Sequence, residues 1–227
     1  MEIRRIFEDK HILAVIKPSG IAAQGDKTGD EDLMTMLGGN LFLVHRLDRP
    51  VGGIILYAKT QAAAAKLSKQ ITDKTIQKEY YVVVMGTPFA PYGELSDHLK
   101  KLRTVNMSKV VPPGTPGSKE ARLSYNLIKT VKTSDPGALS LLSVKLHTGR
   151  HHQIRVQLSN AGLPIWGDTK YNRVFMKKKG WSQIALWSNK LVFKHPEDSR
   201  LMELASLPPN EEPWSLFNFF DDSEVGV

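Results

Sequence analysis

The chain has 227 residues, 41% of them hydrophobic and 24% charged, with a mean hydropathy of −0.27, enough apolar material to bury a core and to exclude wholesale disorder. It has no cysteine, which excludes disulfides, thiolate catalysis and cysteine metal sites. No apolar run approaches the roughly 20 residues of a membrane span, and charges interrupt the first ten positions where a signal peptide is apolar, so a soluble, cytoplasmic protein is expected. The formal charge of +8 is unevenly spread. From His195 onward eight acids face Arg200 alone, a charge of −7, which leaves +15 on residues 1–194. Between Lys145 and Lys194 ten Lys/Arg stand against Asp168 alone. Such a surplus suits a polyanionic partner, because each cation that neutralises a phosphate releases a counterion. A well-solvated surface is the plainer alternative.

In chain order, the first strand signal is Ile12 to Ile16, followed by a short helix at Glu31 to Leu37. Strands follow at Leu41 to Val44 and Ile54 to Ala58, each short, apolar and bounded by turn or charged residues. Thr60 has the character of an N-cap, and Ala63, Leu67 and Ile71 then form an i, i+4, i+8 stripe, which predicts a helix. Tyr80 to Met85 is a further strand. Gly86 to Ser118, rich in Pro and Gly, is expected to be a long excursion from the sheet, a hairpin carrying Lys100, Lys101, Arg103 and Lys109. Strands are then predicted at Ala121 to Leu127 and Leu139 to Leu146. A helix is predicted after Gly149, with Ile154, Leu158 and Ala161 as its stripe and Gly162 as its stop. Ile184 to Phe193 is the last strand. Many strands with few, non-alternating helices predict an α+β fold: a mostly antiparallel mixed β-sheet core with flanking helices. A single domain over 1–212 and an acidic, aromatic tail over 213–227 are expected.

Two segments hold the residues that could carry chemistry. In Val44 to Thr60, Asp48 lies between Arg46 and Arg49, ahead of Gly52-Gly53 and an apolar strand. Flanking guanidinium groups favour the carboxylate anion, which can act as nucleophile or general base. A surface Asp in a salt bridge before a turn is the alternative. In Leu146 to Tyr171, Thr148 and Gly149 open a helix whose first turn holds Arg150, His151, His152 and Gln153. Free N–H groups, the positive dipole end and Arg150 would together make an anion site. Arg155 flanks the apolar stripe, from which it would reach a cleft or solvent. A metal on His147, His151 and His152 would need helix through Gly149 and a further ligand, and neither is evident. Asp48 with Asp168 as a glycosidase pair has no separation fixed by the sequence, and Asp168 after Gly167 has the setting of a turn residue. Nucleotide-cofactor glycine patterns are missing. No metal and no cofactor are expected.

Taken together, these segments resemble the RluA-type pseudouridine synthases. The family's HRLD, small-residue turn, apolar strand and AK match His45-Arg46-Leu47-Asp48 through Ala58-Lys59. TGR-x-HQIR, GxPIxGD and Tyr match Thr148 to Arg155, Gly162 to Asp168 and Tyr171. KxYxxxVxG matches Lys78, Tyr80, Val84 and Gly86. KPSG matches Lys17 to Gly20, and a strand followed by His-Pro matches at His195-Pro196. The series runs in register from about residue 5 to 208. Two departures stand out. Many members have Arg-x-Thr-Ser-Gly after the Asp, where this chain has Arg49-Pro50-Val51-Gly52-Gly53, and Trp187 stands where His is frequent. No S4-type RNA-binding segment precedes the first motif in this chain.

The resemblance implies an RNA pseudouridine synthase that isomerises uridine in ribosomal RNA, transfer RNA or both, without a cofactor. It implies Asp48 as the catalytic carboxylate, Arg155 as its charged partner, and Tyr80 as the residue that stacks on uracil and helps remove the last proton. Asp48 would attack the base, attack the sugar or remove a sugar proton. The target nucleotide must leave its stack to reach it. His45, Arg46, Arg49, Arg150, His152, Lys100, Lys101 and Arg103 are expected to touch RNA. A monomer without an obligate protein partner is implied. The rival is a protein of the same fold that binds and folds RNA without catalysis, and the presence of Asp48, Tyr80 and Arg155 counts against it.

Overall fold

A computed structural model describes residues 2–25, 29–102, 104–134, 137–178 and 183–219. The chain divides into two compact units. The first is Met1–Glu79 with Trp187–Leu207, and the second is Tyr80–Leu186 with the chain from Pro208 on. The first of them is discontinuous in sequence.

In the first unit, β1 (Arg5–Glu8) pairs antiparallel with β2 (Ile12–Lys17), which pairs antiparallel with β4 (Gly52–Ala58). The short β3 (Phe42–Leu43) lies antiparallel on the far end of β4. The near end of β4, at Gly52 and Gly53, runs parallel to β10 (Leu186–Lys194), which carries β11 (Leu201–Ala205) antiparallel on its edge. Ile54 to Ala58 are fully buried, so this strand is apolar on both faces rather than alternating. Helix α1 (Leu33–Leu37) is capped by the Asp32 carboxylate, which accepts from the amides of Met34 and Thr35. Helix α2 (Gln61–Thr72) starts where Thr60 Oγ1 accepts from the Ala63 amide at 3.1 Å. As the stripe predicts, Ala63 and Leu67 are buried, packed with Ile12, Leu56, Leu191 and Phe193, and Ile71 lies against the same cluster. Gln70 fastens the helix to β10 by accepting from Lys194 N (2.9 Å) and donating to Lys194 O (2.7 Å).

In the second unit, β5 (Gln77–Met85), β9 (Ala138–Leu146), β8 (Lys119–Lys132), β6 (Tyr92–Leu102) and β7 (Met107–Val111) lie side by side in that order. The expected excursion is the antiparallel β6–β7 hairpin, in which Lys100 stands opposite Lys109. Helix α3 (Gln153–Asn160) packs on its inner face, where Val156 meets Leu99 and Ala121. It is followed by the short α4 (Arg173–Met176). In the aromatic tail, Trp214 (1% exposed) and Phe217 (5%) lie inward on a 3-10 turn beside β8, and Phe219 meets Tyr81 at 5.1 Å between ring centroids.

Both units are strand-rich and almost wholly antiparallel, the α+β arrangement expected from the sequence.

Candidate active site

Asp48 lies half-buried in the first unit, on the segment between β3 and β4. The residues around it are held by backbone contacts. Val51 N–H donates to the Asp48 carbonyl at 2.9 Å, and Gly20 N–H donates to the Arg49 carbonyl at 2.8 Å. Gly52 and Gly53 are there because nothing larger fits. A Cβ on Gly53, whose φ is +111°, would stand 2.3 Å from the Ser188 carbonyl oxygen, and one on Gly52 would stand 2.4 Å from the Trp187 ring. The two departures from the family pattern are thus one feature. Trp187 fills the space that a side chain at Gly52 would need, and its Nε1 donates to Ser206 Oγ at 3.1 Å.

Three cations surround this loop. Arg49 is ion-paired through Nη1 with Asp30 at 2.7 Å, and Arg46 is exposed. The third, Lys17, is fully buried. Its Nζ donates to the carbonyls of Pro18 (2.9 Å), Ile21 (2.7 Å) and Arg49 (3.1 Å). Burial pushes the Lys17 ammonium down to about 7, the Asp48 carboxylate acts to raise it, and the Arg49 charge adds to the lowering.

His45 does not fit the RNA contact expected for it. It is 8% exposed, and its Nε2 accepts from the Leu56 amide at 3.2 Å. Burial, reinforced by the Lys78 charge, pushes it down to about 3, so the ring is neutral and anchors β4 instead of meeting a phosphate.

The second unit holds Tyr80 and Arg155. Tyr80 is buried on β5 at 5% exposure. Arg155 is 3% exposed, so it is neither a solvated helix charge nor part of an apolar stripe with polar flanks. Gln153 to Leu158 are all buried, whereas Ala161, expected in the stripe, is the exposed C-cap. The guanidinium is fixed by a two-pronged pair with Asp168: Nε to Oδ2 at 2.8 Å and Nη2 to Oδ1 at 2.7 Å. Asp168 also accepts from the amides of Lys170 (2.8 Å) and Tyr171 (3.2 Å). A carboxylate so occupied is an anchor, which corrects its reading as a plain turn residue and removes its use as half of a glycosidase pair. Gly167 permits the turn into it, since a Cβ there would stand 1.9 Å from the Gln183 carbonyl oxygen. The GD of the motif was the available signal; the missing information was its distance from Arg155.

The expected anion site at the start of α3 is closed by its own side chains. Gln153 Oε1 accepts from Arg150 N (2.9 Å) and Thr148 Oγ1 (2.8 Å), and its Nε2 donates to the Arg122 carbonyl (3.0 Å). Gln153 N–H itself donates to the Arg150 carbonyl. The helix starts three residues later than predicted, after His152 in a left-handed conformation (φ 54°). His152 is buried, stacks on His151 at 3.8 Å between centroids, and has Nδ1 2.9 Å from the Tyr171 hydroxyl. Burial first, then the Arg155 charge, push it down to about 2, so His152 is a neutral internal group and not a phosphate ligand. Tyr171, whose hydroxyl also accepts from Ser108 N at 2.7 Å, ties the β6–β7 hairpin to this loop. His147 and His151 turn to different partners, Ser124 and Ser108. Arg150 is half-exposed, with Nε donating to the Glu120 carbonyl at 2.7 Å. Lys100 is half-exposed and Lys101 exposed, while Arg103 lies outside the described residues.

The comparisons with known proteins agree with these motifs. Residues 11–160 match the family model for RNA pseudouridylate synthase. Among relatives, the chain is 30% identical over 239 residues to a "tRNA pseudouridine synthase C" of Haemophilus ducreyi, covering 97% of this chain and 96% of that protein. It is 32% identical to a "Ribosomal large subunit pseudouridine synthase C" of Rickettsia bellii, covering 73% of this chain but only 56% of that protein. In fold it is similar to human RNA pseudouridylate synthase domain containing 1, with a TM-score of 0.77 at 20% identity, covering 92% of this chain and 85% of that one. The chain therefore belongs to the RluA-type RNA pseudouridine synthases, isomerases that act on uridine in RNA.

Proposed function

We propose that Asp48 is the catalytic carboxylate, that Arg155 orients it and keeps it ionised, and that Tyr80 stacks on the flipped uracil and helps take its last proton. The reaction breaks the bond from the ribose carbon to the base nitrogen, turns the base, forms a bond to a ring carbon and moves that carbon's proton to the freed nitrogen. Atoms and electrons balance within the nucleotide, so the residues need only position, charge and a proton relay. The observation that carries this reading is the order of motifs around two rigidly held groups. Asp48 lies on a loop braced by buried contacts, and Arg155 is locked on Asp168.

The substrate we propose is a ribosomal or transfer RNA stem-loop, read by shape and by unstacked bases. Relatives named for both kinds of RNA support it, as does the charge of +15 over residues 1–194. Arg46, Arg49, Arg150, Lys100, Lys101 and Arg103 are the proposed phosphate contacts. The enzyme acts as a monomer in the cytoplasm; no helix among the described residues is long and apolar enough to cross a membrane. Mapping pseudouridines across cellular ribosomal and transfer RNA, with and without the gene, tests the substrate. One or a few uridines in these RNAs are expected to remain unmodified without it. Unchanged maps of both would contradict it.

A further inference from the structure

The β6–β7 hairpin ends the sheet, so β7 has a strand neighbour on one side only. Its ladder sets Lys100 directly opposite Lys109, a like-charged pair that weakens a two-stranded ribbon until an anion covers it. Such a hairpin needs a second hold, and the fold supplies one at the tip. His151, in the loop that opens α3, turns both ring nitrogens to the hairpin. Nδ1 lies 2.9 Å from Ser108 Oγ, and Nε2 lies 3.1 Å from Asn106 Oδ1. Ser108 Oγ also donates to the His151 carbonyl at 2.9 Å, and Lys170 Nζ donates to the Asn106 carbonyl at 2.8 Å. Ser108 is 4% exposed although it lies on an edge strand, and Asn106 turns the chain with a φ of 46°. The hold continues inward. The His151 ring stacks on His152, and His152 Nδ1 meets the Tyr171 hydroxyl. The Tyr171 amide in turn donates to Asp168, the carboxylate that forks onto Arg155. The tip of the basic hairpin and the Arg155 guanidinium are thus fastened to the same pair of loops within the second unit.

We propose that His151 is a positioning residue for the RNA: it clasps the β6–β7 hairpin to the loop before α3 and so holds the hairpin's lysines at a fixed distance from Arg155. This rests on the reading of Lys100 and Lys101 as phosphate contacts. The experiment measures turnover of the transcript carrying the mapped uridine over a range of salt concentrations, together with hydrogen exchange of the free protein. His151→Ala opens the clasp and is expected to raise KM about tenfold with kcat unchanged, the order set by losing two hydrogen bonds. The slope of log KM against log salt stays that of the wild type, because no phosphate contact is removed. Amides 104–111 exchange faster in this variant while those of β9 do not change. Asn106→Gly keeps the left-handed turn and removes one of the two ring bonds, so KM rises about threefold, and combined with His151→Ala it adds nothing. Wild-type KM in both variants, or additive losses in the pair, would overturn the clasp. A salt slope smaller by about 1 in His151→Ala with unchanged exchange would also overturn it, by making His151 a phosphate ligand. Asn106→Gly decides if His151→Ala does not fold. Lys100→Gln with Lys101→Gln is expected to reduce the slope by about 2. An unchanged slope there would remove the hairpin as an RNA contact and the proposal with it, whereas a reduced slope beside wild-type KM in His151→Ala removes the clasp alone.

Discussion

Lys17 in the first unit and Arg155 in the second are both cations taken out of water, and they are held by opposite means. Lys17 spends its protons on three carbonyls, which are dipoles, while Arg155 meets a full carboxylate in a forked pair. The consequence lies in titration. Burial brings Lys17 down to about 7, whereas a guanidinium stays charged at any working pH. One unit therefore holds a cation whose charge depends on its surroundings, and the other holds a cation fixed by geometry. Each unit also buries one neutral imidazole, His45 and His152 respectively.

The largest test of this contrast is Asp168→Ala. It leaves Arg155 buried without its carboxylate, and breaking such a pair costs about 3–5 kcal/mol. Urea unfolding followed by tryptophan fluorescence would show it as a lower midpoint, and an unchanged midpoint would mean the fork is not holding the second unit. Acid sharpens the comparison next. Both histidines have folded pKa values below the ordinary 6.5, about 3 for His45 and about 2 for His152. Below pH 6.5 the unfolded chain therefore binds protons that the folded chain refuses, so the stability present above pH 6.5 is lost as pH falls toward 3. The slope is about 1.4 kcal/mol per pH unit for each histidine. Urea midpoints measured from pH 7 to 5 should fall, His45→Gln and His152→Gln should each flatten the trend, and a flat wild-type profile would contradict the burial of both rings. The smallest effect belongs to the first unit alone. Gly53→Ala meets both a positive φ and a carbonyl 2.3 Å away, and about 2 kcal/mol is expected, read as a lower melting temperature.

The same contrast separates what was legible in the sequence from what was not. Seven strands and helix α2 announce themselves by short apolar runs and by the Thr60 cap, because those signals are local. The strands β1 and β11 are short edge strands, RIFE with a charge at each end and LMELA with a glutamate at its centre, so neither offers an unbroken apolar run. The first unit is closed by residues 187–207, and nothing near β4 in the sequence says that its parallel neighbour lies some 130 positions on. For the proposed site, Asp48 stood out by its flanking arginines, while Tyr80 and the role of Arg155 came from the family resemblance. Burial did not show. His45 and His152 have the composition of phosphate contacts and the environment of a core, and Asp168 has the sequence setting of a turn and the environment of an anchor. Such side chains are sorted by what lies across the fold from them, which spacing along the chain does not contain.

The most direct test of the account is turnover by Asp48→Asn on its mapped RNA, followed by tritium release from uridine labelled at the carbon that forms the new bond. Asn keeps the shape and removes the carboxylate, so the account predicts a folded protein that binds the RNA with wild-type affinity and releases no tritium above background. Tritium release at a substantial fraction of the wild-type rate would contradict it.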